Sequence, residues 1–270
     1  MYDKTCFFVK WIMKKALLLL LIPVAVSAQD AARRRLSGRY LEVLKQIEAM
    51  KKTKQPSASI GDPDHAKLVN TAELSLKGYG YRIANPGRKT NFGTDEMVFG
   101  LMILGAEMVE HYGDEGAFYV GDISHEEGGK LNPHLSHQGG REVDLGFFLC
   151  DDKQHPQGCR IEEINKDGKA KSGNLRFDLQ RNWDFLCLMF DNPIFGEEIK
   201  FVILAKWVQD LLAHYAQDRI AKSRNPSERD YLDRHIKLAQ RLFMSKDDHD
   251  SHFHLRIKVT HEDARLGGRD

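Results

Sequence analysis

The stretch His252-Phe253-His254-Leu255-Arg256-Ile257-Lys258-Val259 leaves the chain little conformational choice. Apolar and polar residues alternate strictly. Only an extended strand then puts Phe253, Leu255, Ile257 and Val259 on one face and His252, His254, Arg256 and Lys258 on the other. The apolar face calls for a core behind it. The opposite face carries two imidazoles, directly after His249-Asp250-Ser251.

A second histidine segment has the same build. Pro133-His134-Leu135-Ser136-His137-Gln138-Gly139-Gly140-Arg141-Glu142-Val143-Asp144 runs into the very apolar Leu145-Gly146-Phe147-Phe148-Leu149. Of twelve histidines in the chain, five lie in these two short segments. A carboxylate at Asp144, at the head of a buried strand, is costly unless it is paired or binds a metal. The Gly139-Gly140 turn lets the backbone fold back and bring His137 towards Asp144. Three ligands can then be assembled from separate segments: His137, Asp144 and one histidine of the His252/His254 pair. Three N/O ligands with a fourth tetrahedral position left for water match a catalytic zinc site. The spacing alone is less diagnostic than a helical histidine pair with a glutamate between, and two solvated surface loops would show the same residues.

The remaining signals are those of a mixed chain, and the expected fold class is α+β: a small antiparallel sheet carrying the site, with surrounding helices and long loops. Residues 31–54 have loose helical spacing and end at Gln55-Pro56. A helix is expected from Gly93 or Thr94 to Tyr112, with Asp95 and Glu96 in its first turn and Met97, Leu101, Leu104 and Met108 on one stripe. Residues 117–120 read as a strand, 177–190 as helical, and 197–217 as helical with a strand near 201–204. Asn225-Pro226-Ser227-Glu228 supplies a cap, a proline at the first helical position and a glutamate at the third, starting a helix to about Phe243.

Charge excludes one class of partner. With 40 Lys+Arg against 39 Asp+Glu and no basic block beyond Arg33 to Arg35, the footprint of a nucleic-acid binder is missing. The N-terminus points outward from the cytoplasm. Lys14-Lys15 precede an apolar run from Ala16 to Val26, and Val26-Ser27-Ala28 offers the small residues that a signal peptidase reads. The expected division is a signal peptide at 1–28, with a natural start at Met13, an N-terminal helix and linker at 29–60, and a catalytic domain at 61–270. The apolar run is short for a membrane span and broken by Pro23, so no stable span is expected after cleavage. In an oxidising compartment Cys150 and Cys159 bracket a polar loop that one bridge could close, while Cys187 reads as a buried small hydrophobe.

Several motifs together resemble the penicillin-insensitive murein endopeptidases, which belong with the lysostaphin-type and D-Ala-D-Ala metallopeptidases. Gly128-Gly129-Lys130-Leu131-Asn132-Pro133-His134-Leu135-Ser136-His137-Gln138, Glu142-Val143-Asp144 and His249-Asp250-Ser251-His252-Phe253-His254 carry the resemblance. Gly121-Asp122-Ile123-Ser124 and Phe177-Asp178-Leu179-Gln180-Arg181-Asn182-Trp183 flank them, so it extends roughly from Tyr79 to Lys258. Glu142 stands where the family usually has an aspartate, and Gly140-Arg141 replaces a more apolar stretch. The resemblance implies that His137, Asp144 and His254 bind one Zn2+, and that His252 is the general base. It implies that His249 and His134 orient substrate or stabilise the oxyanion. The implied reaction is hydrolysis of the D-alanyl-meso-diaminopimelate cross-link of peptidoglycan in the periplasm by a metal-activated water. A D,D-carboxypeptidase or amidase on the same scaffold, or a non-catalytic zinc-containing wall-binding module, would share the motif.

Overall fold

In the computed structural model, which describes residues 37–270, the α+β class holds. Helix α1 (Gly38–Thr53) leads into short strands β1 (Ala58–Ile60), β2 (Lys67–Val69), β3 (Ala72–Glu73), β4 (Lys77–Gly78), β5 (Tyr81–Ile83) and β6 (Phe92–Gly93). Helix α2 (Asp95–Tyr112) follows, then β7 (Phe118–Val120), β8 (Glu142–Cys150), β9 (Pro156–Arg160) and β10 (Arg176–Phe177). Next come α3 (Leu179–Asp191), β11 (Ile199–Leu204), α4 (Lys206–Lys222), α5 (Pro226–Leu242), β12 (Phe243–Ser245), β13 (His252–Ile257) and α6 (His261–Arg265). The signal segment and the Met13 start lie outside the described residues. Among those described, no helix is long and apolar enough to cross a membrane.

One nine-stranded sheet positions the site. Its main path runs β12-β11-β13-β8-β7-β5-β4, with β9 and β10 also paired to β8. It is larger than the expected small sheet and not wholly antiparallel, because β11 pairs β12 and β5 pairs β7 in parallel. Every residue of β8 is buried. Its odd-numbered residues Val143, Leu145 and Phe147 join Phe253, Leu255 and Ile257 of β13 in one core with the helices. Phe147 meets Phe253 edge to face at 5.0 Å, and Phe118 lies 4.9 Å from Phe185 of α3. Asn182 ties α3 to β8, accepting from Phe148 N at 3.0 Å and donating to its carbonyl at 2.7 Å.

Local signals explain the helix boundaries. Thr94 caps α2 by accepting from Met97 N, and its apolar stripe faces the core. Asn225 caps α5 with Pro226 at its first position. Glu228 does not reach back to complete a capping box; it is drawn instead to Arg219 at 2.8 Å and Ser223 at 2.7 Å. The segment after Ile199 becomes strand rather than helix through Leu204, with α4 starting only at Lys206.

The bridge that could close the Cys150–Cys159 loop is absent, and Cys150, Cys159 and Cys187 are all free and buried. Register is the reason: Cys159 lies opposite Phe148, whereas Cys150 lies opposite Pro156. Cys159 Sγ accepts from Tyr119 N at 3.3 Å, and Cys150 Sγ faces Arg176 O. Cys187 is the buried small hydrophobe expected of it.

One carboxyl in the helical layer sets a pH dependence. Glu107 of α2 accepts from Tyr40 of α1 at 3.5 Å, while its Oε2 is buried without a partner. Burial, reinforced by the Asp191 charge, pushes it up to about 8 from 4.5. Between those values the folded chain holds a proton that the unfolded chain has lost, so stability falls as pH rises through this window and levels off above it. Glu107→Gln is expected to flatten that slope and to raise stability at pH 8 by roughly 1–3 kcal/mol. Thermal midpoints of both proteins from pH 5 to pH 8 check this, and parallel profiles would contradict it.

Candidate metal centre

Strands β8 and β13 pair antiparallel with His254 opposite Asp144, Arg256 opposite Glu142 and His252 opposite Gly146. The side chains of Glu142, Asp144, His252, His254 and Arg256 therefore share the face turned away from the aromatic core. His137 reaches that face from the preceding loop. It is a non-glycine residue at φ +66°, and Gly140 follows at φ +68°. A Cβ on Gly140 would fall 2.8 Å from Gly93 Cα, so the return of the chain requires glycine there. At Gly121, a Cβ would stand 3.0 Å from Asp144 Cβ, and its absence leaves room for the carboxylate.

Three ligand atoms converge. His254 Nδ1 lies 3.0 Å from Asp144 Oδ1, His137 Nε2 lies 3.2 Å from the same oxygen, and the two nitrogens are 3.1 Å apart. The edge of a tetrahedron whose corners sit about 2.0 Å from its centre is ~3.3 Å. The triangle is therefore close to the face that three zinc ligands would form. The ring nitrogens turned away from it face acceptors, His137 Nδ1 at hydrogen-bond distance and His254 Nε2 at ion-pair distance only. His137 Nδ1 lies 3.1 Å from the Ile123 carbonyl, and His254 Nε2 faces Glu142 Oε2 at 3.5 Å. A proton on each of these outer nitrogens leaves the inner lone pairs free to bind a cation.

The other site residues surround this triangle. His252 Nε2 lies 3.3 Å from Asp144 Oδ1, with its Nδ1 on Ser251 Oγ at 2.9 Å. His249 packs near by, its ring centroid 5.3 Å from His252 in a tilted pair and 5.5 Å from His254 edge-on. His134 lies 4.3 Å from the His137 ring, and its Nε2 is held by Asp122 at 2.9 Å. All six residues expected at the site are brought together. Exposure divides them: the His137 side chain is 0% exposed, against 15% for His249 and His252 and 23% for His134. The open side of the centre is the side of these last three.

Electrostatics suit a cation. Burial pushes the Asp144 carboxyl up, but His137, His252 and His254 outweigh it and hold it well below the usual range. Glu142 follows the same pattern, with His254, His137 and Arg256 overcoming burial. His254 is lowered by burial yet raised overall by Asp144 and Glu142, so a proton competes with any cation for it. His249 is held down, first by burial, then by its imidazole neighbours, against the pull of Asp248.

Sequence reasoning treated Asp122 only as part of a flanking segment and Glu142 only as a departure, yet both support the centre. Asp122 accepts from Arg88 Nε at 3.0 Å and Thr90 Oγ1 at 2.5 Å besides His134, and its carbonyl accepts from Asp144 N at 3.1 Å. A charged residue between the apolar Val120 and Ile123 was the available signal. Arg88 thus braces Asp122. Tyr81 is core, and Tyr79 and Arg82 pack on Glu110 and Tyr119.

The Asp122 carboxyl is raised by burial, but hydrogen bonds from His134, Thr90 and Arg88 with the Arg88 charge dominate and bring it down to about 2 from 3.8. A depressed acid stabilises the fold above its unfolded value, and that contribution disappears as pH falls from 3.8 towards about 2. Asp122→Asn is expected to cost roughly 1–3 kcal/mol at neutral pH and to make the acid limb shallower. Urea unfolding at a series of pH values measures both, and an unchanged acid limb would contradict the pairing.

No curated protein matches the chain significantly. The stretch that folds as β1 to β10 is matched, and it includes His134, His137 and Asp144; His249, His252 and His254 are joined to it by the β8–β13 pairing. Residues 59–176 match the family described as penicillin-insensitive murein endopeptidase, the one that its motifs resemble.

Proposed function

We propose that this chain is an exported, zinc-dependent murein endopeptidase hydrolysing the D-alanyl-meso-diaminopimelate cross-link of peptidoglycan. The family match supports a murein endopeptidase acting on peptidoglycan in the broad sense. What supports the metal is the triangle of His137 Nε2, Asp144 Oδ1 and His254 Nδ1, with edges of 3.0 to 3.2 Å. Two imidazoles and a carboxylate form a donor set suited to zinc. When bound, zinc supplies a Lewis acid that polarises the scissile carbonyl and activates water at neutral pH.

The chain's own residues then divide the work. His137, Asp144 and His254 hold the ion, with His137 fixed from its outer side by the Ile123 carbonyl and His254 facing Glu142. His252, on the accessible rim and next to the Asp144 carboxylate, takes the proton from the attacking water and returns it to the leaving amine. His134, fixed by Asp122, and His249, fixed by Asp248 at 2.7 Å, orient the substrate peptide and steady charge on the carbonyl oxygen. No nucleophilic serine takes part, so penicillin has nothing to acylate. Export through the 1–28 signal would place residues 61–270 where cross-linked murein lies.

Digestion of purified cross-linked murein by the chain, resolved by chromatography and mass, tests the reading. Dimeric muropeptides should fall with a matching rise of monomers, and chelator or His254→Ala should abolish this. His252→Ala should keep one metal per chain while losing about 10²–10⁴ in turnover. Stem peptides shortened by one alanine with dimers intact would instead identify a carboxypeptidase. Bound zinc without any cleavage would identify a binding module.

A further inference from the structure

Glu142 is 3% exposed and makes three connections to the centre without belonging to the ligand triangle. Its Oε2 accepts from the backbone N of His137 at 2.9 Å, at the residue that sits in the left-handed region. The same oxygen stands 3.5 Å from His254 Nε2. Its Oε1 is ion-paired to Arg256, the residue directly opposite on β13, whose guanidinium lies over Phe201 at 4.8 Å. One carboxylate thus touches both histidines of the triangle, one through its backbone and the other through its ring.

We propose that Glu142 is a positioning residue that sets the metal affinity of the site. Holding the His137 amide fixes a conformation that a non-glycine residue adopts at a cost. Facing Nε2 of His254 favours the proton there and aims the Nδ1 lone pair inward. Arg256 keeps the carboxylate charged and aimed, so a strained loop and a rigid strand are set to one geometry by one group. The inference rests on the zinc reading given above, and it adds a residue that does not touch the ion.

The test is zinc affinity of the purified chain by competition with a chromophoric chelator, alongside circular dichroism of the metal-free proteins. Glu142→Gln keeps the shape and loses the charge. It should remain folded and bind one zinc with a dissociation constant raised roughly 10–100-fold. Metal-free stability alone would fall if the role were only structural, and unchanged affinity in a folded Gln variant would overturn the proposal. Glu142→Asp carries the test if the Gln variant does not fold, because it keeps a charge opposite Arg256 while withdrawing it from His137 and His254. Weakened affinity there supports the proposal, and wild-type affinity overturns it. Failure of the unmodified chain to bind zinc would be a different result, removing the metal reading itself.

Discussion

The site depends on a single pairing, the antiparallel register of β8 and β13 that sets His254 opposite Asp144. A slip of β13 by one residue would turn His254 into the aromatic core and bring Phe253 out, away from Asp144. That slip is prevented by the other face, where Phe253, Leu255, Ile257, Val143 and Leu145 are completely buried. Hydrophobic burial of one face thus fixes the geometry of the ionisable groups on the other. The three proposed ligands come from both strands and from the loop before β8.

Placing a carboxylate at the centre of a sheet is unfavourable unless opposite charge or donors surround it. Here the balance is local. Asp144 is met by three imidazoles, Glu142 by Arg256 and the His137 amide, and Asp122 by Arg88, Thr90 and His134. Each carboxyl is depressed for this reason despite its burial. The same groups fix ring orientations, so polar satisfaction and preorganisation are one arrangement rather than two.

How much of this was legible in the sequence depended on range. The two-residue period at 252–257 revealed the strand and its faces, because side-chain alternation is a local property of extended backbone. Thr94, Asn225 and Pro226 revealed helix starts for the same reason. The partner that Asp122 finds in Arg88, and the triple role of Glu142, belong to contacts between distant segments, which periodicity does not encode. Cys150 and Cys159 misled because loop length says nothing of register; with Cys159 opposite Phe148 the two thiols lie on a diagonal. The sheet is larger than expected because strands of two or three residues, such as β4 and β12, leave almost no pattern in the sequence.

The central claim is that His137, Asp144 and His254 form a ready-made triangle for one zinc ion. Crystallography of the chain grown with zinc, using anomalous scattering at the zinc edge, tests this most directly. The account predicts one strong peak about 2.0–2.2 Å from His137 Nε2, an Asp144 carboxylate oxygen and His254 Nδ1, with an open position on the side of His252. A peak held instead by the His249, His252 and His254 rings, or no peak between β8 and β13, would contradict it.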